Sequence, residues 1–212
     1  EQQRRASALL KKHRGAWLGA ARPFVRSWTN DARGFAATAV CEAQKLREGL
    51  AHLLQIGPRL RLTVTSFAKR RRATVAEVGR LSLGSFHALA LSSDLEDRDL
   101  EELAPALAGI RHLDVGYNSF TAAGLRTLGA CVAGIRTLAV ISHNYSPDWI
   151  DAIVETPGFQ SLECIEVRGH DLRSQVPGEE LLARLRAMPA MKRVNPPRAA
   201  GAPTIAMDPS EP

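Results

Sequence analysis

His112 and Asp114 lie two residues apart, the spacing that brings an imidazole and a carboxylate to the same side of an extended strand. Such a couple could move a proton, the carboxylate holding the imidazole ready as a general base. Hydrolysis would further need a nucleophile and a site for the oxyanion. The nearest candidates in the neighbouring segments are Thr137 and Cys164, and neither stands in a glycine-rich elbow or beside metal-ligand spacing. His143 beside Asn144 reads as a turn residue rather than a ligand. No Walker loop, dinucleotide fingerprint or paired Cys and His at zinc spacing occurs, so the expectation is a non-catalytic protein without metal or cofactor.

Charge offers a second chemistry. Lys69, Arg70, Arg71 and Arg72 form a compact basic run, and Arg4, Arg5, Lys11, Lys12, Arg14, Arg22 and Arg26 add to it. Together they could hold phosphates, although no aromatic platform is interleaved, so any nucleic-acid binding there would be weak and nonspecific. The bland reading of the run is a solvated loop. Residues 1–80 carry 17 basic against 5 acidic side chains, whereas residues 81–170 carry 5 against 12. The overall charge of +6 therefore hides a dipole along the chain. The acidic run Asp94, Glu96, Asp97, Asp99, Glu101 and Glu102 could suggest calcium, but a negative first helical turn explains it more simply.

The elements that must position these groups follow from a repeated phrase. Phe86, Leu89 and Leu91 recur as Ile110, Leu113 and Val115, then Ile135, Leu138 and Val140, then Leu162, Ile165 and Val167. Their central members are 24, 25 and 27 residues apart, a period at which a short unit buries its apolar face only against its neighbours. Apolar residues two apart predict a strand in each phrase. Helix starts follow at Asp97, at Thr121 and at Ser146-Pro147, and breaks come at Gly109, Gly134 and Pro157-Gly158. The segments Leu60 to Val64 and Phe35 to Val40 repeat the strand pattern upstream, and Leu46, Leu50, Leu53 and Leu54 predict an amphipathic helix within 43–56. Residues 2–29 read as two helices around Gly15, with Leu9, Leu10, Trp17, Leu18, Phe24, Val25 and Trp28 covering the first unit. Leu181, Leu182 and Leu185 mark a last helix, and the proline-rich stretch 195–212 reads as a disordered tail.

The phrase Leu113-Asp114-Val115-Gly116-Tyr117-Asn118, with Leu125 and Leu128 beyond, resembles the leucine-rich repeat of the longer, ribonuclease-inhibitor-like type. Residues 7–65, with Trp17-Leu18, Trp28, Arg33-Gly34-Phe35 and the stretch from Arg59 to Leu62, resemble the companion segment that precedes such repeats in some bacterial proteins. The resemblance implies that Asn118 bonds neighbouring backbone at the turn after its strand. Asn144 matches the same position with one residue inserted, while Ser92, Ser93 and Asp94, and likewise His170-Asp171, depart from the pattern. It also implies a recognition scaffold rather than a chemistry.

The expected architecture is an α/β leucine-rich-repeat-like solenoid, with parallel strands on a concave face and helices on a convex one. A helical cap over 1–34, the solenoid over 35–190 and the tail over 191–212 make up the chain. The residues between ladder positions would line the concave face: Arg61, Thr63, Ala88, Ala90, His112, Asp114, Gly116, Thr137, Ala139, Ile141, Cys164, Glu166 and Arg168. Ala88, Ala90 and Ala139 would leave room for a protruding partner segment, flanked by His112, Asp114, Glu166 and Arg168 for charge pairing. Another protein is the expected partner, with no membrane and no small-molecule substrate. No run approaches the ~18 apolar residues of a membrane helix, and three widely spaced cysteines, Cys41, Cys131 and Cys164, suit reduced core thiols. A cytoplasmic protein is expected, and the excess of 23 arginines over 5 lysines fits a GC-rich bacterial genome.

Overall fold

The computed structural model describes residues 16–30, 36–57, 59–67, 71–92, 94–116, 118, 120–142, 147–169 and 179–195. Eight strands build one open sheet in strict chain order. They are β1 (Val25–Asn30), β2 (Ala36–Glu42), β3 (Arg61–Thr65), β4 (Ala88–Ser92), β5 (His112–Asp114), β6 (Thr137–Ser142), β7 (Cys164–Gly169) and β8 (Arg193–Asn195). β1 pairs antiparallel with β2, and each later strand runs parallel to the one before it. Between strands lie the helices α1 (Ala43–Ile56), α2 (Arg71–Gly79), α3 (Asp97–Leu103), α4 (Ala122–Cys131), α5 (Pro147–Glu155) and α6 (Glu179–Arg186), each packed on the next.

Register follows the ladder. Ala39, Leu62, Leu89, Leu113, Leu138 and Ile165 stand opposite one another across six strands, and each is at most 1 % exposed. Leu46 and Leu53 of α1, Leu125 and Leu128 of α4, and Ile150 and Ile153 of α5 are buried in the same core. A one-residue slip of any strand would turn its apolar row to the open side, so burial itself enforces the pairing. Gly109 and Gly134 adopt φ of 87° and 80°, the left-handed conformation needed to turn from each helical segment toward the next strand.

Asn118 ties consecutive units together. Its side-chain amide donates to the carbonyls of Leu91 at 2.8 Å and Val115 at 2.9 Å, and its Oδ1 accepts the Leu95 N–H at 2.9 Å. The residue is buried, so these bonds satisfy backbone groups that water cannot reach. This is the role the repeat resemblance implies for it. The acidic run serves helix starts: Glu96 and Asp99 form a capping box on α3, and Asp97 Oδ1 accepts the Thr121 N–H at 2.9 Å. Thr121 itself caps α4 through the Ala123 N–H.

Both ends of the chain depart from expectation. Among the described residues of the expected helical cap, Ala16–Phe24 is a 3₁₀ segment kinked at Gly19, and Val25–Asn30 is a strand. Pro23 interrupts the helical course, and β2 offers an unpaired edge that a β-branched segment satisfies. Leu18, Ala21 and Val25 are buried, whereas Leu9 and Leu10 lie outside the described residues. The expected tail begins with a strand, because Val194 extends the apolar row beyond Ile165, and the Lys192 and Arg193 N–H groups reach the Glu163 carbonyl at 2.8 and 3.0 Å. Residues 196–212 lie outside the described residues. The basic run, read as a loop, leads into α2 at Arg71. Among the described residues no helix is long and apolar enough to cross a membrane.

Replacing Asn118 by Ala removes the partner of the Leu95 N–H and of the Leu91, Val115 and Gly116 carbonyls in the interior, and should cost about 3 kcal/mol. Urea unfolding of N118A checks this; an unchanged midpoint would show that the amide network is dispensable.

Candidate functional site

Because strand residues alternate sides, the apolar ladder on one face dictates a second set of rows on the other. The first row is Thr38, Arg61, Ala88, His112, Thr137, Cys164 and Arg193. The second is Val40, Thr63, Ala90, Asp114, Ala139, Glu166 and Asn195. The structure thus places the predicted face residues of these two rows on one side of the sheet, and pairs Ile141 with Arg168 in a third row; Gly116 lies beyond the end of β5, in no strand pair. The side chains of Ile141 and Arg168 lie outside the described residues, as do Lys69, Arg70, His143, Asn144 and His170-Asp171. Arg72 is described and exposed on α2.

The face is not a set of independent side chains. Arg61 Nη2 lies 3.0 Å from Asp114 Oδ2, although their strands are separated by β4. The guanidinium crosses β4 where Ala88 and Ala90 present only methyl groups, and both alanines are buried. The expected room for a partner at these two positions is therefore corrected, because an arginine of the chain itself uses it. Asp114 is held from two directions, its Oδ1 accepting the Gly116 N–H at 3.0 Å. With the side chains 25 % and 11 % exposed, this partly desolvated ion pair stiffens the centre of the face.

His112 turns the other way. Its Nδ1 lies 3.0 Å from Thr137 Oγ1, and its ring centroid is 4.6 Å from that of His87. Burial, followed by the charges of His87, Arg136 and Arg111, pushes the His112 pKa down to about 4. Burial and then Arg59 and Arg111 lower that of His87 as well. The His112 and Asp114 couple considered for proton transfer is accordingly divided, one group joined to Thr137 and the other to Arg61. Cys164 stands beside Thr137 in register, and Asn195 Nδ2 approaches its sulfur at 3.9 Å.

The cysteines are free, as expected, but only Cys41 is fully buried; Cys131 and Cys164 are partly covered. Burial pushes the Cys41 thiol up to about 11, which keeps it protonated at neutral pH. Among the described residues no cluster of three His, Cys, Asp or Glu could hold a metal ion.

Sequence reasoning passed over His87, Arg111 and Arg136. The last two stand immediately before β5 and β6, at one offset of the repeat, so aligning the units one residue further upstream reveals them. Fold and face together define an α/β protein with an open, mostly parallel sheet, one side closed by apolar packing and the other carrying ordered polar rows. No protein-family model matches this chain, and no curated protein matches it either.

His112 has a folded pKa below its ordinary value of 6.5, so the unfolded chain binds more protons in the interval between the two. Its contribution to stability is complete above about pH 6.5 and is lost as pH falls toward about 4. Urea midpoints should decline across that window and decline less steeply in His112→Gln. Identical slopes in the two proteins would contradict the assignment.

Proposed function

We propose that this chain is a leucine-rich-repeat-like solenoid module that binds another protein on the open face of its sheet, as a non-catalytic scaffold or adaptor subunit of a bacterial cytoplasmic assembly. One observation carries the reading. Seven parallel-linked strands present in-register polar rows whose members Arg61, Thr63, His112, Thr137, Cys164 and Glu166 are only partly buried, while the opposite rows are closed off by apolar packing. A flat array of side chains on a rigid sheet offers a partner many contact points at little cost in ordering.

Other features support the same reading. The Asn118 network, which joins β4 to the turn after β5, and the in-register pairing of the strands support this reading, since a repeat scaffold depends on contacts between neighbouring units. The Arg61 to Asp114 pair leaves His112, Thr137 and Glu166 as the partly exposed half of the face, around a buried Ala139 and next to a fixed charge pair. The partition of His112 and Asp114 between different partners favours recognition over proton transfer.

The test is co-purification from the native source with the wild-type chain and two variants. Ala139→Arg, which drives a long cation out of the second row, should remove the bound protein, whereas Arg72→Glu should retain it. Thermal melts should show Arg72→Glu within a few degrees of wild type and Ala139→Arg folded but less stable by about 1–3 kcal/mol, because Ala139 is 1 % exposed and the larger side chain must displace its neighbours. If Arg72→Glu alone removes the partner, or if RNA or DNA accompanies the chain and leaves with rising salt, the alternative of an accessory nucleic-acid subunit replaces the open-face reading.

A further inference from the structure

At the end of the sheet where the strands enter, the chain carries a second surface, distinct from the open face. A groove of about 510 Å³ is lined there by residues of three successive units, among them Arg111, Ala133, Gly134, Arg136, Ser161 and Glu163. Its volume falls in the ~300–1,000 Å³ range of clefts that hold ligands. The floor has little bulk: a Cβ built on Gly134 meets nothing within 4 Å, so the mouth opens to solvent. The Ser161 hydroxyl is occupied, donating to the Ile135 carbonyl at 2.8 Å, which leaves the arginines to define the chemistry.

Arg111 and Arg136 are neighbours by construction. They precede His112 and Thr137, which pair in register, so their backbones lie one strand spacing, ~4.8 Å, apart. The Arg111 carbonyl accepts the N–H groups of both Arg136 and Thr137, at 2.7 and 3.0 Å, and pins the two segments together. Two exposed arginines thus leave neighbouring backbone positions, and both line the groove. Among the described residues Arg111 has no ion-pair partner, and Arg136 has only Glu163 at 3.8 Å. That carboxylate is closer to Lys192, at 2.8 Å. One acidic group therefore pairs with two cations, and Arg111 is left without one among the described residues. The lowered pKa values of His87 and His112, caused first by burial and then partly by these arginines, register the same excess of positive charge.

We infer that this strand-entry groove docks an acidic segment of a partner protein, its carboxylates bridging Arg111 and Arg136. Guanidinium and carboxylate match in shape and form paired charge-assisted hydrogen bonds. A peptide is favoured over a nucleic acid for two reasons. Glu163 interrupts the cationic track, which repels a continuous phosphate chain but can accept a backbone N–H from a peptide. The groove lining also contains no aromatic ring on which a base could stack. The inference goes beyond the open-face reading and does not depend on it.

Fluorescence anisotropy with labelled hexaglutamate, in ~0.15 M salt to suppress diffuse attraction, tests the groove directly. Wild type should bind saturably. Arg111→Gln with Arg136→Gln should weaken binding at least about tenfold, the corresponding double lysine variant should keep part of it, and Glu163→Gln should strengthen it. Ala139→Arg should leave it unchanged, which separates this groove from the open face. Circular dichroism melts establish that each variant is folded. No saturable binding, binding indifferent to the double glutamine variant, or tighter binding of hexathymidylate than of hexaglutamate would overturn the inference.

Discussion

One register governs this molecule. From β2 to β8 every strand pairs with its successor so that Ala39, Leu62, Leu89, Leu113, Leu138 and Ile165 fall in line. Two consequences are inseparable, because side chains alternate along a strand: the apolar row is sealed beneath the helices, and the residues beside it are forced outward. Asn118 secures the register locally by joining the turn after β5 to the backbone after β4. The glycines at 109 and 134 allow the chain to turn back at the same height in successive units.

On that frame the polar rows acquire their character from cross-strand neighbours rather than from sequence neighbours. Arg61 reaches Asp114 only because β4 supplies alanines between them, and His112 meets Thr137 only because β5 and β6 are in register. The same pairing brings Arg111 and Arg136 together at the strand-entry end. A basic corner thus adjoins a face whose central charges are already neutralised. The two surfaces differ in what they could recognise, one through ordered polar contacts and the other through net charge.

Much of this was legible in the chain. The spacing of the apolar phrases located the strands from Ala36 to Gly169, and Thr121, Pro147 and the leucines of 43–56 located helices. The face residues were legible because period-two alternation assigns sides without any knowledge of contacts. The ends were less so. Val25–Asn30 and Arg193–Asn195 are short, carry few apolar residues and become strands by completing the open edges of β2 and β7. Propensity over three to six residues is too weak to announce such segments when a tertiary partner decides their state. The Arg61 to Asp114 pair was hidden for a related reason: 53 residues separate its members, and no local pattern links them.

The sequence by itself determined the periodic unit, the side on which each strand residue stands, and the asymmetry of charge along the chain, since all three depend only on residue type and spacing. Tertiary structure alone decided which outward residues meet. Pairing across strands ~4.8 Å apart gave Asp114 to Arg61, His112 to Thr137, and Arg111 a like-charged neighbour in Arg136, because hydrogen bonds and Coulomb interactions act over distances that chain separation does not reveal.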